Sequence, residues 1–219
     1  MKKVLLGLFA ILSISTIAAD NGVNVYGRFG LDIISRYNKI KNDDTGETLV
    51  KGKGKVAPGI FLEVTKDINK NAEVGLGLGY IWHGKRDFNG EDDDYLISGK
   101  LPAVNSVPLY VTGKYKFDTN SNAKPYIKAD LGYSFNNMKK SFDLNVTEKA
   151  TGNTATMKED GYKLKNGVYV AVGVGVEYMD FTTDLSYVFT GAKIKYDDGD
   201  KDKANNSAIR LTVGYKFSF

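Results

Sequence analysis

Taken at every second residue from Val23, the chain runs Val23, Val25, Gly27, Phe29, Leu31, Ile33. The residues between them, Asn24, Tyr26, Arg28, Gly30, Asp32 and Ile34, are mostly polar. Side chains of an extended chain point alternately to opposite sides, so this pattern predicts a strand with one apolar face. The alternation returns in 56–65, 73–82, 107–117, 126–135, 168–178, 181–189 and 209–219. It is clearest where Val168, Val170, Val172, Val174, Val176 and Tyr178 are separated by Tyr169, Ala171, Gly173, Gly175 and Glu177.

Each of these eight segments runs for about nine to thirteen residues, against roughly five or six for a strand in a soluble sheet. A tilted strand that crosses a bilayer needs about nine to eleven. The connections sort by length as well. Long polar gaps, 36–54, 84–105, 137–166 and 194–206, follow the first, third, fifth and seventh segments. Short ones, 67–71, 118–122 and 179–180, follow the second, fourth and sixth. An even number of strands with long loops at one end and tight turns at the other predicts an all-β fold, an eight-stranded antiparallel transmembrane β-barrel with up-and-down meander order. Both termini are then periplasmic, and 137–166 is the longest of four outward loops. A soluble sandwich would bury the apolar face and has no reason to sort its loops.

Aromatic residues divide in the same way. On the apolar face Tyr115, Phe117, Tyr178, Phe181, Tyr215 and Phe217 fall near the short turns, and Tyr80, Trp82, Tyr133 and Phe135 near the long loops. Two girdles of amphipathic rings mark the two membrane–water boundaries.

The first residues form a separate unit. Met1-Lys2-Lys3 is a basic head, and 4–19 carries no charge and ends in Ala18-Ala19 before Asp20. Sixteen uncharged residues are short for a membrane-spanning helix, so 1–19 reads as a signal peptide cleaved after Ala18 or Ala19, with 20–219 the barrel. Without Lys2 and Lys3, 28 basic residues face 26 acidic ones. So small and dispersed a charge gives no reason to expect nucleic acid. The chain has no cysteine and one histidine, which excludes disulfides, thiolate chemistry and histidine-rich metal cages.

The final run Val213-Gly214-Tyr215-Lys216-Phe217-Ser218-Phe219 alternates and closes on phenylalanine, and 124–133 alternates likewise. In both, the chain resembles the small outer-membrane β-barrel family that includes the OmpA transmembrane domain and OmpX. The resemblance implies a Gram-negative outer membrane and contact with its lipid and lipopolysaccharide. It also implies assembly by the barrel insertion machinery, which would read Tyr215, Phe217 and Phe219 as its signal. The chain departs from OmpA in stopping at the last barrel strand, so no peptidoglycan-binding domain is expected.

Eight strands enclose a space about wide enough for side chains alone. Its inward positions carry Arg28, Lys114, Lys128 and Arg210 beside Asp32, Glu63, Glu73, Asp130, Glu177 and Asp184. Buried charges need partners, so this set predicts a structural ion-pair network in which Arg28 and Arg210 meet acids such as Asp32 or Glu73. Inward Gly75, Gly77, Gly79, Gly173 and Gly175 would make room for the long charged side chains.

No catalytic, cofactor or metal residues are marked. His83 precedes Asp87 and 91–94, but that acidic run reads as a solvated loop tip and His83 as a residue of the membrane interface. Acidic clusters at 43–44, 92–94 and 197–198 lack calcium-loop spacing, and the lysines of 51–55 and 139–140 suit lipid phosphates or plain solvation. The expected function is that of a structural or surface-interaction protein, for adhesion or envelope integrity, whose long loops meet a host or surface ligand. A narrow channel for ions or small solutes is the alternative, and a lipid A-modifying enzyme a remote one.

Overall fold

A computed structural model describes residues 22–41, 48–50, 52–91, 93–138, 141–159, 163–195 and 201–218. Eight long strands form a closed barrel: β1 (Val23–Tyr37), β2 (Ala57–Asp67), β3 (Ala72–Trp82), β4 (Val104–Lys116), β5 (Ala123–Met138), β6 (Gly167–Tyr178), β7 (Phe181–Thr190) and β8 (Asn206–Ser218). Each pairs antiparallel with its chain neighbours, and β8 returns to pair with β1. All eight segments read from the alternation are strands of this barrel. Closure leaves no unpaired edge, which hydrocarbon would not tolerate.

The alternation sorts as polarity demands. Phe29, Ile60, Leu76, Leu109, Leu131, Val174, Leu185 and Val213 are exposed on the outer face. Tyr26, Arg28, Glu63, Lys114, Asp130, Glu177, Asp184 and Arg210 are buried inside. In β1 the sequence reading fails after Asp32, where Ile34 belongs to the polar face by count. A bulge between Asp32 and Ile34 adds one residue, so Ile33 and Ile34 both face out and Ser35 takes the inward place. The β3–β4 ladder also skips Gly79 and Tyr80 opposite Val107 and Pro108, where proline has no N–H to donate.

The short turns are locally determined. In the first, Asn69 Oδ1 accepts the backbone N–H of Asn71 and of Ala72, each at 2.9 Å. Between the first and the second, Lys70 meets Asp118 at 3.1 Å, and its hydrogen bond holds the Asp118 carboxyl below the usual carboxylate range. The third is two residues long, with Met179 at a φ of 54°.

The long gaps are not plain loops. A six-stranded sheet stands beyond the barrel rim, in the order Thr154–Glu159, Phe142–Glu148, Tyr95–Leu101, Arg86–Glu91, Thr48–Val50 and Ile40–Lys41. Lys163–Lys165, Lys193–Lys195 and Lys201–Lys203 form a second sheet of three strands.

Candidate functional site

The lumen is built in three layers, because residues at one height on neighbouring strands are brought level by the register. Nearest the short turns, Glu73 of β3 and Glu177 of β6 share the cations of β4 and β8. Lys116 pairs with Glu73 and, at 3.2 Å, with Glu177, and Lys216 reaches Glu177 at 2.6 Å. Lys114 lies 3.6 Å from Glu73 and 3.7 Å from Glu177, with its ammonium 3.7 Å above the Tyr26 ring. Tyr26 Oη and Thr65 Oγ1 donate to Glu73 at 2.9 and 2.8 Å.

In the middle layer, Arg28 meets Asp184 at 3.0 Å and Glu63 at 3.7 Å, and donates to Tyr126 Oη at 2.9 Å. Tyr126 in turn donates to Asp184 at 3.0 Å, and Tyr110 to Glu63 at 2.9 Å. Lys128 bridges Glu63 and Asp130. Nearest the long loops, Arg210 holds Asp32 through Nε and NH2, donates to Tyr169 Oη at 3.1 Å, and lies 4.6 Å over the Phe61 ring.

All ten residues marked in the sequence for this network are therefore inside the barrel, and each of them has a partner of opposite charge. Two details differ from expectation. Arg28 meets Glu63 and Asp184, not Asp32 or Glu73, because those two carboxylates lie at other heights. The sequence reading also left out Lys116 and Lys216, which raise the cations to six against six carboxylates. Their inward parity and the excess of acids over bases in the first set could have revealed them.

Three of the five inward glycines serve rings rather than charges, while Gly75 and Gly173 lie close against the Val64 backbone and Ser186. A Cβ at Gly77 would strike the Tyr110 ring, one at Gly79 the Phe61 ring, and one at Gly175 the Tyr126 ring. These aromatic side chains fill the bore, and the hydroxyls of Tyr110 and Tyr126 donate to Glu63 and Asp184. At its centre a cavity of about 20 Å3 lies between Arg28, Glu63, Lys128, Asp130 and Arg210, room for about one water molecule.

At the long-loop end His83 and Arg86 turn into the mouth and are buried. The interface role expected for His83 does not hold: its ring meets Tyr37 edge-on at 6.0 Å inside the barrel. It lies beyond the end of β3, and burial pushes its pKa down to about 4. Asp87, Glu91, Asp93 and Asp94 of the acidic loop are exposed, while the side chain of Asp92, the clusters 43–44 and 197–198, and Lys51, Lys139 and Lys140 lie outside the described residues. Ala192, Ile194 and Ala204, with Leu164, close over the mouth as a small apolar cluster.

On the outside, the two girdles are in place as ring pairs. Tyr115 and Phe117, Phe181 and Tyr215, and Tyr215 and Phe217 pack at 5.2, 5.2 and 4.8 Å near the short turns. Tyr80 and Trp82, and Tyr133 and Phe135, pack at 4.5 and 5.4 Å near the long loops. Phe219 and residues 1–21, which include the expected cleavage site, lie outside the described residues. Where the six-stranded sheet leaves the rim, a cleft of about 480 Å3 opens between Lys85, Lys100, Asn105, Asn137, Phe142 and Asp143.

A closed antiparallel barrel, apolar outside between two aromatic rings and charged within, is a transmembrane β-barrel of an outer membrane. The chain belongs to the outer membrane protein beta-barrel domain family, whose model matches residues 4–217. It is a protein of the Gram-negative outer membrane. It is 31% identical over 233 residues to the protein PM1543 of Pasteurella multocida (strain Pm70), covering 99% of this chain and 98% of that one. Among solved structures it is similar in fold to the outer membrane protein OprG of Pseudomonas aeruginosa, with a TM-score of 0.51 and 16% identity over 91% of this chain and 97% of OprG. A further match is Ail, the attachment invasion locus protein of Yersinia pestis, in complex with the heparin analogue sucrose octasulfate, at a TM-score of 0.43 and 16% identity over 90% of this chain and 100% of Ail.

Proposed function

We propose that the protein is a non-conducting, non-enzymatic barrel that holds a β-structured platform for contacts at the cell surface. The observation that carries this reading is the filled bore: ion pairs and tyrosines occupy every layer and leave about 20 Å3 at its centre. A conducting pore of this family would need a continuous wet path, which wider barrels supply. A lumen of paired charges serves instead as a rigid core, and rigidity at the rim suits a platform. The six-stranded sheet and the cleft at its base, with Lys85 and Lys100 on its walls, offer shape and charge for a surface ligand or for lipopolysaccharide phosphates. The ten predicted lumen residues are then structural, and the Tyr215, Phe217 and Phe219 row is the signal read by the insertion machinery.

The platform is tested by replacing the hairpin 142–159 with a short turn and measuring attachment of cells to host surfaces and their resistance to detergent. Attachment should fall while the barrel still shows heat-modifiable mobility on gels. Unchanged attachment and unchanged envelope resistance would contradict the role given to the platform.

A further inference from the structure

The lumen network balances its charges, but Arg86 stands outside it. This residue opens the loop strand Arg86–Glu91, and its side chain turns back into the barrel mouth, where it is only 9% exposed. Its guanidinium lies 4.3 Å over the Tyr37 ring and forms no ion pair among the described residues. One of its nitrogens, NH1, is buried without a hydrogen-bond partner. His83, 4% exposed, lies against the same Tyr37 ring, and neither of its ring nitrogens has a partner. Thr190 Oγ1, on β7, is likewise buried and unpartnered.

These three side chains line one cavity of about 20 Å3, under the Ala192, Ile194 and Ala204 cluster. The amide groups that share it are engaged elsewhere. Asn136 Oδ1 accepts from Ser106 and Ser134 at 2.8 and 2.9 Å, and Asn206 Nδ2 donates to Ser35 Oγ at 2.7 Å. No acidic side chain lines it. The charged groups that act on His83 are Asp32 of β1, Arg210 of β8 and Arg86. Asp32 and Arg210 bind each other through two hydrogen bonds, and of the three charges only Arg86 lines the cavity itself.

A buried cation without a counter-charge is strongly unfavourable, and donors that converge on one small space call for an acceptor with no hydrogen of its own. Guanidinium, imidazole N–H and hydroxyl are three such donors. The space suits a monatomic ion and is too small for sulfate or phosphate. We propose that the mouth cavity is a binding site for a single halide-type anion, chloride being the representative species, held by Arg86, Thr190 and His83. The site is coupled to protons. An anion beside His83 offsets both its burial and the repulsion from Arg86, so binding raises the proton affinity of the ring. By reciprocity, acid tightens the anion.

The chain has one histidine, so its ring protons give an unambiguous NMR reporter. The refolded protein in zwitterionic micelles is titrated in sodium chloride and in sodium methanesulfonate at equal ionic strength. The His83 midpoint should lie about one unit higher in chloride, as expected for an opposite charge brought close. That difference should vanish in Arg86→Gln and persist in Arg86→Lys. Equal midpoints in the two salts would overturn the site, and so would an equal chloride shift in Arg86→Gln. Should that variant not refold, crystals of the wild type soaked in bromide decide: an anomalous peak between Arg86 and His83 supports the site, and its absence overturns it.

Discussion

Arg210 and Asp32 stand directly opposite each other across the β1–β8 seam, and the guanidinium holds the carboxylate through Nε at 2.6 Å and NH2 at 3.1 Å. The bulge at Ile33 begins at this pair, which is the last before the closing register shifts by one residue. A bidentate charge-assisted pair has narrow geometric tolerance, and a slip of one residue would carry Arg210 into lipid. The pair therefore fastens the seam and specifies where it fastens.

Replacing Arg210 by Leu leaves a buried carboxylate and an orphaned Tyr169 hydroxyl. The folded barrel should lose about 3–5 kcal/mol in urea unfolding, and the double variant Arg210→Leu with Asp32→Leu should recover much of it, since both charges are then gone. A single variant that unfolds at the wild-type midpoint would show that the pair does not hold the seam.

His83 makes the mouth sensitive to acid. Its ordinary pKa of 6.5 is lowered to about 4 by burial. Between these values the unfolded chain binds a proton that the folded protein refuses, so stability falls as pH drops from 6.5 towards 4. Above 6.5 the effect is absent, and at its largest it reaches roughly 3 kcal/mol in chloride-free buffer. The difference in unfolding free energy between wild type and His83→Gln should follow this window, because the carboxylates titrate alike in both. A difference that is flat from pH 7 to pH 4 would mean that His83 takes up its proton in the folded state.

The two-residue turn between β6 and β7 places Met179 at a φ of 54°, a region in which asparagine is far more at ease, and the side chain is exposed. Met179→Asn should stabilise the barrel by about 0.5–1 kcal/mol in the same urea assay. A loss of stability would show that the methionine makes a contact with lipid worth more than the strain.

Legibility in the sequence followed solvent contrast. In each barrel strand one face meets hydrocarbon and the other meets buried charge, so Val168–Val176 against Tyr169–Glu177 could alternate only one way. The loop strands lie beyond the bilayer and lack this contrast along their length. Arg86–Glu91 and Thr154–Glu159 carry no alternation because none is required, and they were invisible as strands. Parity likewise placed Arg28 and Glu63 inside but gave no heights, and without register Arg28 could not be matched to Asp184 across the bore. The bulge at Ile33 turns Ile34 outward and Ser35 inward, a change of parity that counting by twos does not carry. The inward place of His83 is not legible, because nothing in its neighbours says that the chain turns inward after Trp82.

The terminal aromatic row has a separate consequence. Tyr215 and Phe217 point to lipid beside Phe181, and Phe219 follows two residues later in the sequence. Deleting Phe219 should slow insertion in cells while leaving refolding in detergent largely intact, since β8 from Asn206 to Tyr215 is paired on both sides. Heat-modifiable mobility reports both processes, and an equal loss in both would mark Phe219 as a stability residue alone.

The filled bore is tested most directly by current. A lumen whose central cavity holds about one water molecule should give no discrete conductance steps when the refolded wild-type protein is inserted into a planar bilayer at neutral pH. Reproducible single-channel steps from the folded, heat-modifiable form would mean that the ion pairs line a path, and would contradict the reading of the lumen as a core.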